Sequence, residues 1–488
     1  MKSTITSLFA MAVLLAFNHS AYTQKTRKAD DIRNVENNLA PNAEYVIAGE
    51  PLERYSVSER MEYYKIPSLS IAVIYKGKMV WAKAYGYADV ERKVKADVNT
   101  IYQAASISKS INAAGILKLV EGGRLALDKD IRQYLKTWTF PDNELSQNIT
   151  VTIRGLLSHT AGIGTGGFMG YTPGGPLPTI NEMLDGKKPA NNEPVRAVLT
   201  PNKKMQYSGG GTLITKKILQ DNFGSDYDSL MQKLVLKPLS MHRSSFGQPL
   251  SSGVKNVALA YDRDKNQVPG KYNVYPEQAP DGLWTTPSDL AKFIMSIQGS
   301  IANKKGVLSG STVKDMLAPV LTSSNAGLGL FVVDKSGEKY FTHNGANVGY
   351  RSRYYGSFTG GYGVVVFVNS DNDGIINEVI NSVALTYKWK NFFNPEVRTI
   401  ISLPDKSMDD FTGEYSSENP AVKILISKQD GQLELQLKKK EKMFFISEKA
   451  FFLKSSPTQI AEFVIVNGTV HALVVKQGDK VVLTAKKM

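Results

Sequence analysis

Apolar and polar positions alternate with period two over residues 68–88 of this 488-residue chain. Ile71, Val73 and Tyr75 share one face of the first run, and Val80, Ala82 and Ala84 share one face of the second. Lys76-Gly77-Lys78 between them predicts a turn, so the stretch reads as two paired strands. The period then changes. Ile107, Ile111, Ala114, Leu117, Leu119 and Val120 fall on one helical face that Gly122-Gly123 ends. Ser288 to Gln298 predicts a short helix with Ser288 as its cap. Tyr340 to His343, Tyr350 to Tyr355 and Tyr362 to Val368 predict three further strands, and Ile375 to Trp389 a long apolar-periodic helix. Strands near both ends of the region thus point to one antiparallel sheet with helices on its faces. The middle of the chain supplies a helical, loop-rich insert, an α+β arrangement over 45–395.

Residues 162–189 are dense in Gly and Pro and predict a loop, either a lid or specificity wall or a disordered stretch. Residues 24–44 are polar and predict a flexible lead-in, and 396–403 a linker. From 404 to 488 the texture becomes all-β. Short runs at Val422–Ile426, Leu433–Leu437, Met443–Ile446, Ala450–Leu453, Glu462–Val466, Val470–Val475 and Val481–Thr484 are separated by turn signals such as Asp430-Gly431 and Asn467-Gly468. They predict a small separate barrel or curled sheet.

Composition narrows the setting. Lys2, the apolar run Leu8 to Phe17, and Ala21 and Thr23 before Gln24 match an export signal over 1–23. The run is too short to span a bilayer, so no stable membrane insertion is expected once the signal is removed. The chain has no cysteine, which excludes disulfides, thiolate chemistry and cysteine-ligated zinc. An exported, cysteine-free chain suits a bacterial periplasm or the medium outside the cell. The formal net charge is +14, but residues 404–488 hold thirteen Lys against five Asp and six Glu, and the only tight cluster is Lys438-Lys439-Lys440-Glu441-Lys442. That reads as a solvated strand end. No nucleic-acid partner is expected, because clustered Arg and Lys with interleaved aromatics are missing.

Four segments carry candidate chemistry. Ser106-Ile107-Ser108-Lys109 places a hydroxyl and an amine three residues apart, which is one face of a helix. A lysine kept neutral by burial or by a neighbouring cation can activate such a serine. Tyr207-Ser208-Gly209-Gly210-Gly211 can project a phenol from a tight turn, and cations can make that phenol a base. His343-Asn344-Gly345-Ala346-Asn347 is a strand whose glycine admits a close ligand, whose amides can face an oxyanion, and whose histidine can offer a positive or hydrogen-bonding group. His159, in Leu157-Ser158-His159-Thr160, reads as a structural anchor bracing the Ser106 helix. Taken singly, each segment also fits a bland role: a surface serine and solvated lysine, a core tyrosine, a structural histidine. No Gly-x-Ser-x-Gly elbow and no His-Glu-x-x-His occurs, so neither an α/β-hydrolase triad nor a zinc site is supported.

In this order and spacing the segments resemble the serine β-lactamase-related family, which includes class C β-lactamases, D-Ala-D-Ala carboxypeptidases, D-aminopeptidases and bacterial esterases. The resemblance covers about 50–395 and extends to Ile101-Tyr102-Gln103-Ala104-Ala105, Gly282-Leu283-Trp284-Thr285-Thr286-Pro287-Ser288-Asp289-Leu290 and Gly327-Leu328-Gly329. The tail resembles the small β-barrel domain often appended to such hydrolases. The resemblance implies Ser106 as acylated nucleophile and Lys109 and Tyr207 sharing proton transfer. It implies an oxyanion hole from the Ser106 and Ala346 amides, and His343, Asn344 and Gly345 as the strand-borne motif. It implies no metal or organic cofactor. Two departures stand out. His343-Asn344-Gly345 replaces the Lys-Thr-Gly usual in β-lactamases, and Tyr207-Ser208-Gly209 replaces Tyr-x-Asn. Both argue against efficient β-lactam hydrolysis. The expected activity is a D,D-peptidase-like serine hydrolase acting on a small peptide, amide or ester, including cell-wall-derived ones. An esterase, a weak β-lactamase and a catalytically silent sensor are the alternatives.

Overall fold

The computed structural model describes residues 28–40, 45–224, 226–437 and 439–488. The expected signal segment 1–23 lies outside them. The chain divides into two compact units, one of the described residues through Leu39 with Tyr55–Phe392, the other of Ala40–Arg54 with Phe393–Met488.

The first unit is built on a seven-stranded antiparallel sheet. Its strands are β1 (Ser68–Tyr75), β2 (Lys78–Asp89), β3 (Val94–Lys95), β4 (Phe331–Lys335), β5 (Glu338–Asn347), β6 (Tyr350–Ser357) and β7 (Gly363–Val368), in the order β3-β2-β1-β7-β6-β5-β4. The β1–β2 turn pairs Tyr75 with Lys78 across Lys76 and Gly77, both at positive φ. This two-residue form follows the right-handed twist of the strands it joins. The central strands are apolar on both faces. Leu69, Ile71 and Val73 of β1 and Val364, Val366 and Val368 of β7 pack into one core with Ile375, Val379, Ile380 and Val383. Ala72, Ile74, Val365 and Phe367 face the opposite core with Leu290, Phe293, Ile294 and Ile297. Four helices matter below: α1 (Ser108–Glu121), α2 (Gly209–Phe223), α3 (Pro287–Ile301) and α4 (Gly374–Thr386). Helices α3 and α4 cover the two sheet faces, which confirms the α+β arrangement.

Helix α1 stops where the paired glycines predict. Gly123 lies at φ +66°, its N–H bonds Val120 O at 2.9 Å, and Arg124 N–H bonds Leu119 O at 2.9 Å, a Schellman closure. Helix α3 starts one residue before the predicted cap. Thr286 Oγ1 accepts from Asp289 N–H at 3.1 Å, and Pro287 occupies the first helical position, where its missing N–H leaves no bond unmade. Within the predicted loop 162–189, Ile180–Asp185 forms a short helix closed by a Thr179–Glu182 capping box.

The lead-in expectation is corrected where it can be seen. Residues 28–37 are helical. Their sparse apolar positions, Ile32 and Val35, continue to Leu39 on one side and join the core under α4, and Ser382 Oγ donates to Val35 O at 2.9 Å.

In the second unit the expected linker also has structure. Tyr45–Ile47 pairs in parallel with Glu396–Arg398. The remainder is a short helix, Asp405–Phe411, and a nine-stranded antiparallel sheet, two strands more than the sequence pattern predicts. The additions are Gly413–Glu418 and Lys440–Lys442, polar runs with little alternation to read. Its edge strands are Lys440–Lys442 and Phe444–Phe445, with only Met443 between them in sequence, so the sheet curls nearly closed. Phe411, Tyr415, Phe445, Phe451 and Phe463 fill the interior, the Phe411 and Phe463 rings stacking at 4.0 Å. No helix among the described residues is long and apolar enough to cross a membrane.

Two glycines let α3 sit close on the sheet: a Cβ at Gly356 would lie 2.8 Å, and one at Gly363 3.3 Å, from Ile294 Cγ2. Ile294→Ala is expected to destabilise the protein by about 2–5 kcal/mol in urea unfolding, the range for emptying a packed core site. A loss under ~1 kcal/mol would contradict this packing.

Candidate active site

Ser106 sits in a single 3-10 turn, Ala105–Ile107, that runs directly into α1. The two turns still place it on the face of Lys109, whose Nζ donates to Ser106 Oγ at 2.9 Å. Ala105 adopts φ +51°. A non-glycine residue in that region stores strain unless its surroundings hold it, and such strain gathers at functional sites. Three hydrogen bonds supply the hold. Ala104 N–H bonds Leu283 O at 2.8 Å, Leu283 N–H bonds Ser108 Oγ at 2.9 Å, and Ser352 Oγ donates to Ala104 O at 3.0 Å. Strand β5 approaches from the other side. A Cβ on Gly345 would fall 2.1 Å from Ala104 O and 2.4 Å from Ser352 Oγ, so only glycine fits there.

Lys109 is 2 % exposed. Its Nζ also donates to Pro280 O at 2.9 Å and to Asp281 Oδ1 at 3.3 Å. Burial works against the ammonium, but the Asp281 carboxylate and then Tyr207 outweigh it, so the Lys109 pKa is raised. The neighbours of Lys109 thus favour its charged form. Asp281 also accepts from Ser106 Oγ at 2.8 Å. Asp281 is flanked by Pro280 and Gly282, residue types that in sequence suggest a turn and not a site. Its position directly ahead of the Gly282-Leu283-Trp284 segment was the available signal.

Tyr207 precedes Ser208, the N-cap of α2. Ser208 Oγ accepts from Gly211 N–H at 2.7 Å and donates to Gly164 O at 2.6 Å, which ties the 162–168 loop to the helix start. The Lys109 ammonium lies 5.2 Å from the Tyr207 ring centroid. The position of the family's missing asparagine is tightly packed. A Cβ on Gly209 would meet the Phe168 ring at 3.0 Å and Gly166 O at 3.2 Å. His159 is an anchor, but for the tyrosine segment, not for the Ser106 helix. Its Nδ1 accepts from Ser208 N–H at 3.1 Å, its carbonyl accepts from Gln206 N–H at 2.7 Å, and its ring lies 4.5 Å from that of Tyr207.

A cavity of about 390 Å³ is lined by Ser106, Tyr207, Asp281, Asn344 and Ala346, with Phe168 and Phe331 as aromatic walls and Gly166 and Gly167 at the rim. Four of the sequence-predicted residues therefore meet in one cleft, with Lys109 buried behind Ser106. Gly345 packs against the Ser106 turn. His343 is buried, its ring 5.3 Å from Phe331 and 6.3 Å from Tyr207, and its Nδ1 lies 2.7 Å from Asn344 O. Burial, then the charge of Lys109, pushes its pKa down to about 3, so it is neutral at working pH. Asn347 ties the strand to the Asp281 segment, its Nδ2 donating to Gln103 Oε1 at 2.7 Å and to Asp281 O at 3.0 Å. A larger groove of about 800 Å³ along Leu317, Pro319, Val332 and Phe358 carries none of these groups.

Comparison with known proteins places this geometry. The β-lactamase family model matches residues 56–380, and the chain belongs to that family. It is 32% identical over 230 residues to Protein flp of Staphylococcus aureus strain N315, a match covering 46% of this chain and 42% of that protein. The chain thus spans under half the length of the curated relatives it matches there. It is 41% identical over 98 residues to the serine beta-lactamase-like protein LACTB, mitochondrial, of Bos taurus, covering 20% of this chain and 17% of that one. Among solved structures, the octameric penicillin-binding protein homologue from Pyrococcus abyssi superposes with TM-score 0.60 at 24% identity, over 88% of this chain and 98% of that chain. D-amino acid amidase from Ochrobactrum anthropi SV3 superposes with TM-score 0.55 at 21% identity, over 67% of this chain and 95% of that chain. These likenesses agree with the fold.

The buried histidines make a stability prediction. Burial first, then the charge of Lys109, holds His159 well below the ordinary histidine value, and His343 is lowered likewise. Unfolding lets each bind a proton below pH ~6.5, so the unfolded state takes up protons that the folded state refuses. Stability is therefore present above pH ~6.5 and is lost as pH falls toward the folded value, by up to about 1.4 kcal/mol per pH unit for each histidine. His343→Gln removes one of the two. Its denaturant midpoint should fall less steeply than that of wild type between pH 7 and pH 4; parallel curves would contradict the assignment.

Proposed function

We propose that this chain is an exported serine hydrolase that acylates Ser106 with a small peptide, amide or ester. The observation that carries the reading is the Ser106 hydroxyl, held between a buried ammonium and a carboxylate at the floor of a cleft that Tyr207 also lines. Ser106 Oγ attacks a carbonyl carbon. The oxyanion is received by the backbone amides of Ser106 and Ala346, where preorganised dipoles contribute most. The tetrahedral adduct collapses to an ester on Ser106, and water later releases the acyl group. Lys109 and Tyr207 stabilise charge beside the reacting oxygen. A neutral His343 fixes the strand and does not carry positive charge to the substrate. The N-terminal signal pattern supports export to a bacterial periplasm or medium.

A D,D-peptide or D-amino-acid amide is the first substrate class, in keeping with the activity for which one structural neighbour, D-amino acid amidase, is named. An ester is the second reading, and one observation favours it. Gly209 stands where the family's asparagine would have bonded an acylamide, and an added Cβ there would press on the Phe168 ring and Gly166 O. β-Lactams come third for the same reason.

Intact mass after treatment with a fluorophosphonate tests the nucleophile. Wild type should gain one adduct and Ser106→Ala none. An adduct kept by the alanine variant, or absent from folded wild type, would overturn the reading and favour a sensor or binding role. A panel of D-alanyl peptides, D-amino-acid amides, acyl esters and nitrocefin then ranks the substrate classes by kcat/KM.

A further inference from the structure

We propose that Asp281 is the proton acceptor for Ser106, and that Lys109 stays an ammonium throughout the reaction. This rests on Ser106 acylation but assigns the base to a different residue from those read out of the sequence.

Hydrogen counting carries the argument. The Ser106 hydroxyl has one hydrogen, and Asp281 Oδ1 receives it at 2.8 Å. An ammonium has three, and Lys109 Nζ donates to Ser106 Oγ, Pro280 O and Asp281 Oδ1, at 2.9, 2.9 and 3.3 Å. Tyr207 is a further hydrogen-bonding neighbour that also favours the charged amine, and none of the three bonds requires a lone pair on Lys109. A neutral lysine would leave a carboxylate that is 3 % exposed beside an uncharged amine, and an uncompensated buried charge is strongly unfavourable. The position of Asp281 is fixed from several sides. Its carbonyl accepts from Asn347 at 3.0 Å, and the next-but-one residue, Leu283, bonds on both sides of Ser106, to Ala104 and to Ser108. Gly282 between them has no room for a Cβ, which would lie 2.6 Å from Gln278 Cα. Asp281 Oδ2 is buried without a bond to any described residue. Oδ1 already receives the Ser106 hydrogen, so transfer along that bond needs no rearrangement of the carboxylate.

The step balances. The Ser106 O–H bond breaks as the Oγ–carbonyl bond forms, and the proton passes to Asp281 Oδ1. The carboxylic acid then gives that proton to the departing nitrogen or oxygen as the scissile bond breaks. Water attacks the ester in the second half-reaction, hands its proton to the same carboxylate, and Ser106 recovers one. Lys109 begins and ends with three hydrogens, stabilising the negative charge that develops on Oγ.

Other titratable groups surround this carboxylate. Lys109 reaches it from α1, and Tyr207 shares the cleft. Tyr275 and Glu277 lie on its own segment, where burial pushes both pKa values up, Glu277 to about 8. His343, across on β5, is held neutral.

The test is the pH profile of fluorophosphonate labelling of the full chain, for wild type, Asp281→Asn and Asp281→Ala, with thermal melts as the check of folding. Asn keeps the shape and an accepting oxygen but has no charge, so it carries the test if the alanine variant fails to fold. Both variants are expected to label at least ~100-fold more slowly at pH 7, the usual reach of a general base. Their acid limb should also move to higher pH, because burial without the carboxylate lowers the Lys109 pKa and leaves lysine deprotonation as the remaining route. Folded Asp281→Asn that labels within about twofold of wild type, with the same profile, would overturn the assignment while leaving Ser106 as nucleophile. Wild type that takes no adduct would overturn both readings together.

Discussion

The site is arranged around one buried positive charge. Removing an ammonium from water is expensive unless acceptors and a counter-charge replace the hydration it loses. Lys109 finds them on two sides: Ser106 one turn earlier, and the Pro280 carbonyl and Asp281 carboxylate from a segment more than 170 residues further along. That requirement ties the start of α1 to the 275–283 segment. Any displacement of either would strand the charge. The nucleophile and the substrate-facing wall are therefore positioned by the same bonds that make the lysine tolerable inside the protein.

The scaffold meets this demand by close approach. Gly345 lets β5 lie against the Ala104 carbonyl, Gly329 lets the 327–330 turn lie against Ala113 and the Lys109 carbonyl, and Gly356 and Gly363 let α3 settle on the sheet. A side chain at any of these points would push a whole element away. The two cores on either side of β1 and β7 supply the rigidity behind them. Tyr207 is set independently, by the cap of α2 and by His159 beneath its ring.

Much of this was legible in the residues. Period-two runs gave β1 and β2, the sequence also marked β5–β7 with β5 over a shorter span, and paired glycines marked the end of α1. Ser106 and Lys109 meet as their spacing implied, and Tyr207 and the 343–347 strand join them as the family resemblance implied. The misses share a cause: each depends on a distant partner. Asp281 looks like a turn residue until Ser106 and Lys109 stand beside it. Residues 28–37 look too polar to pack until Val35 and Leu39 meet the core under α4. The strand at Glu396–Arg398 has no pattern of its own and exists through Tyr45–Ile47. The charge state of Lys109 likewise follows from its neighbours and not from its own motif.

The curl of the second unit bears on how the chain behaves in a crowded solution. An open sheet presents a row of unpaired amides and carbonyls that can recruit strands from other molecules. Here the two border strands span three and two residues and abut through Met443, and one of them reads Lys440-Glu441-Lys442. So short and charged a border offers little template for intermolecular pairing. A fold of nine strands can in this way remain dispersed at high local concentration without a helix laid along its margin.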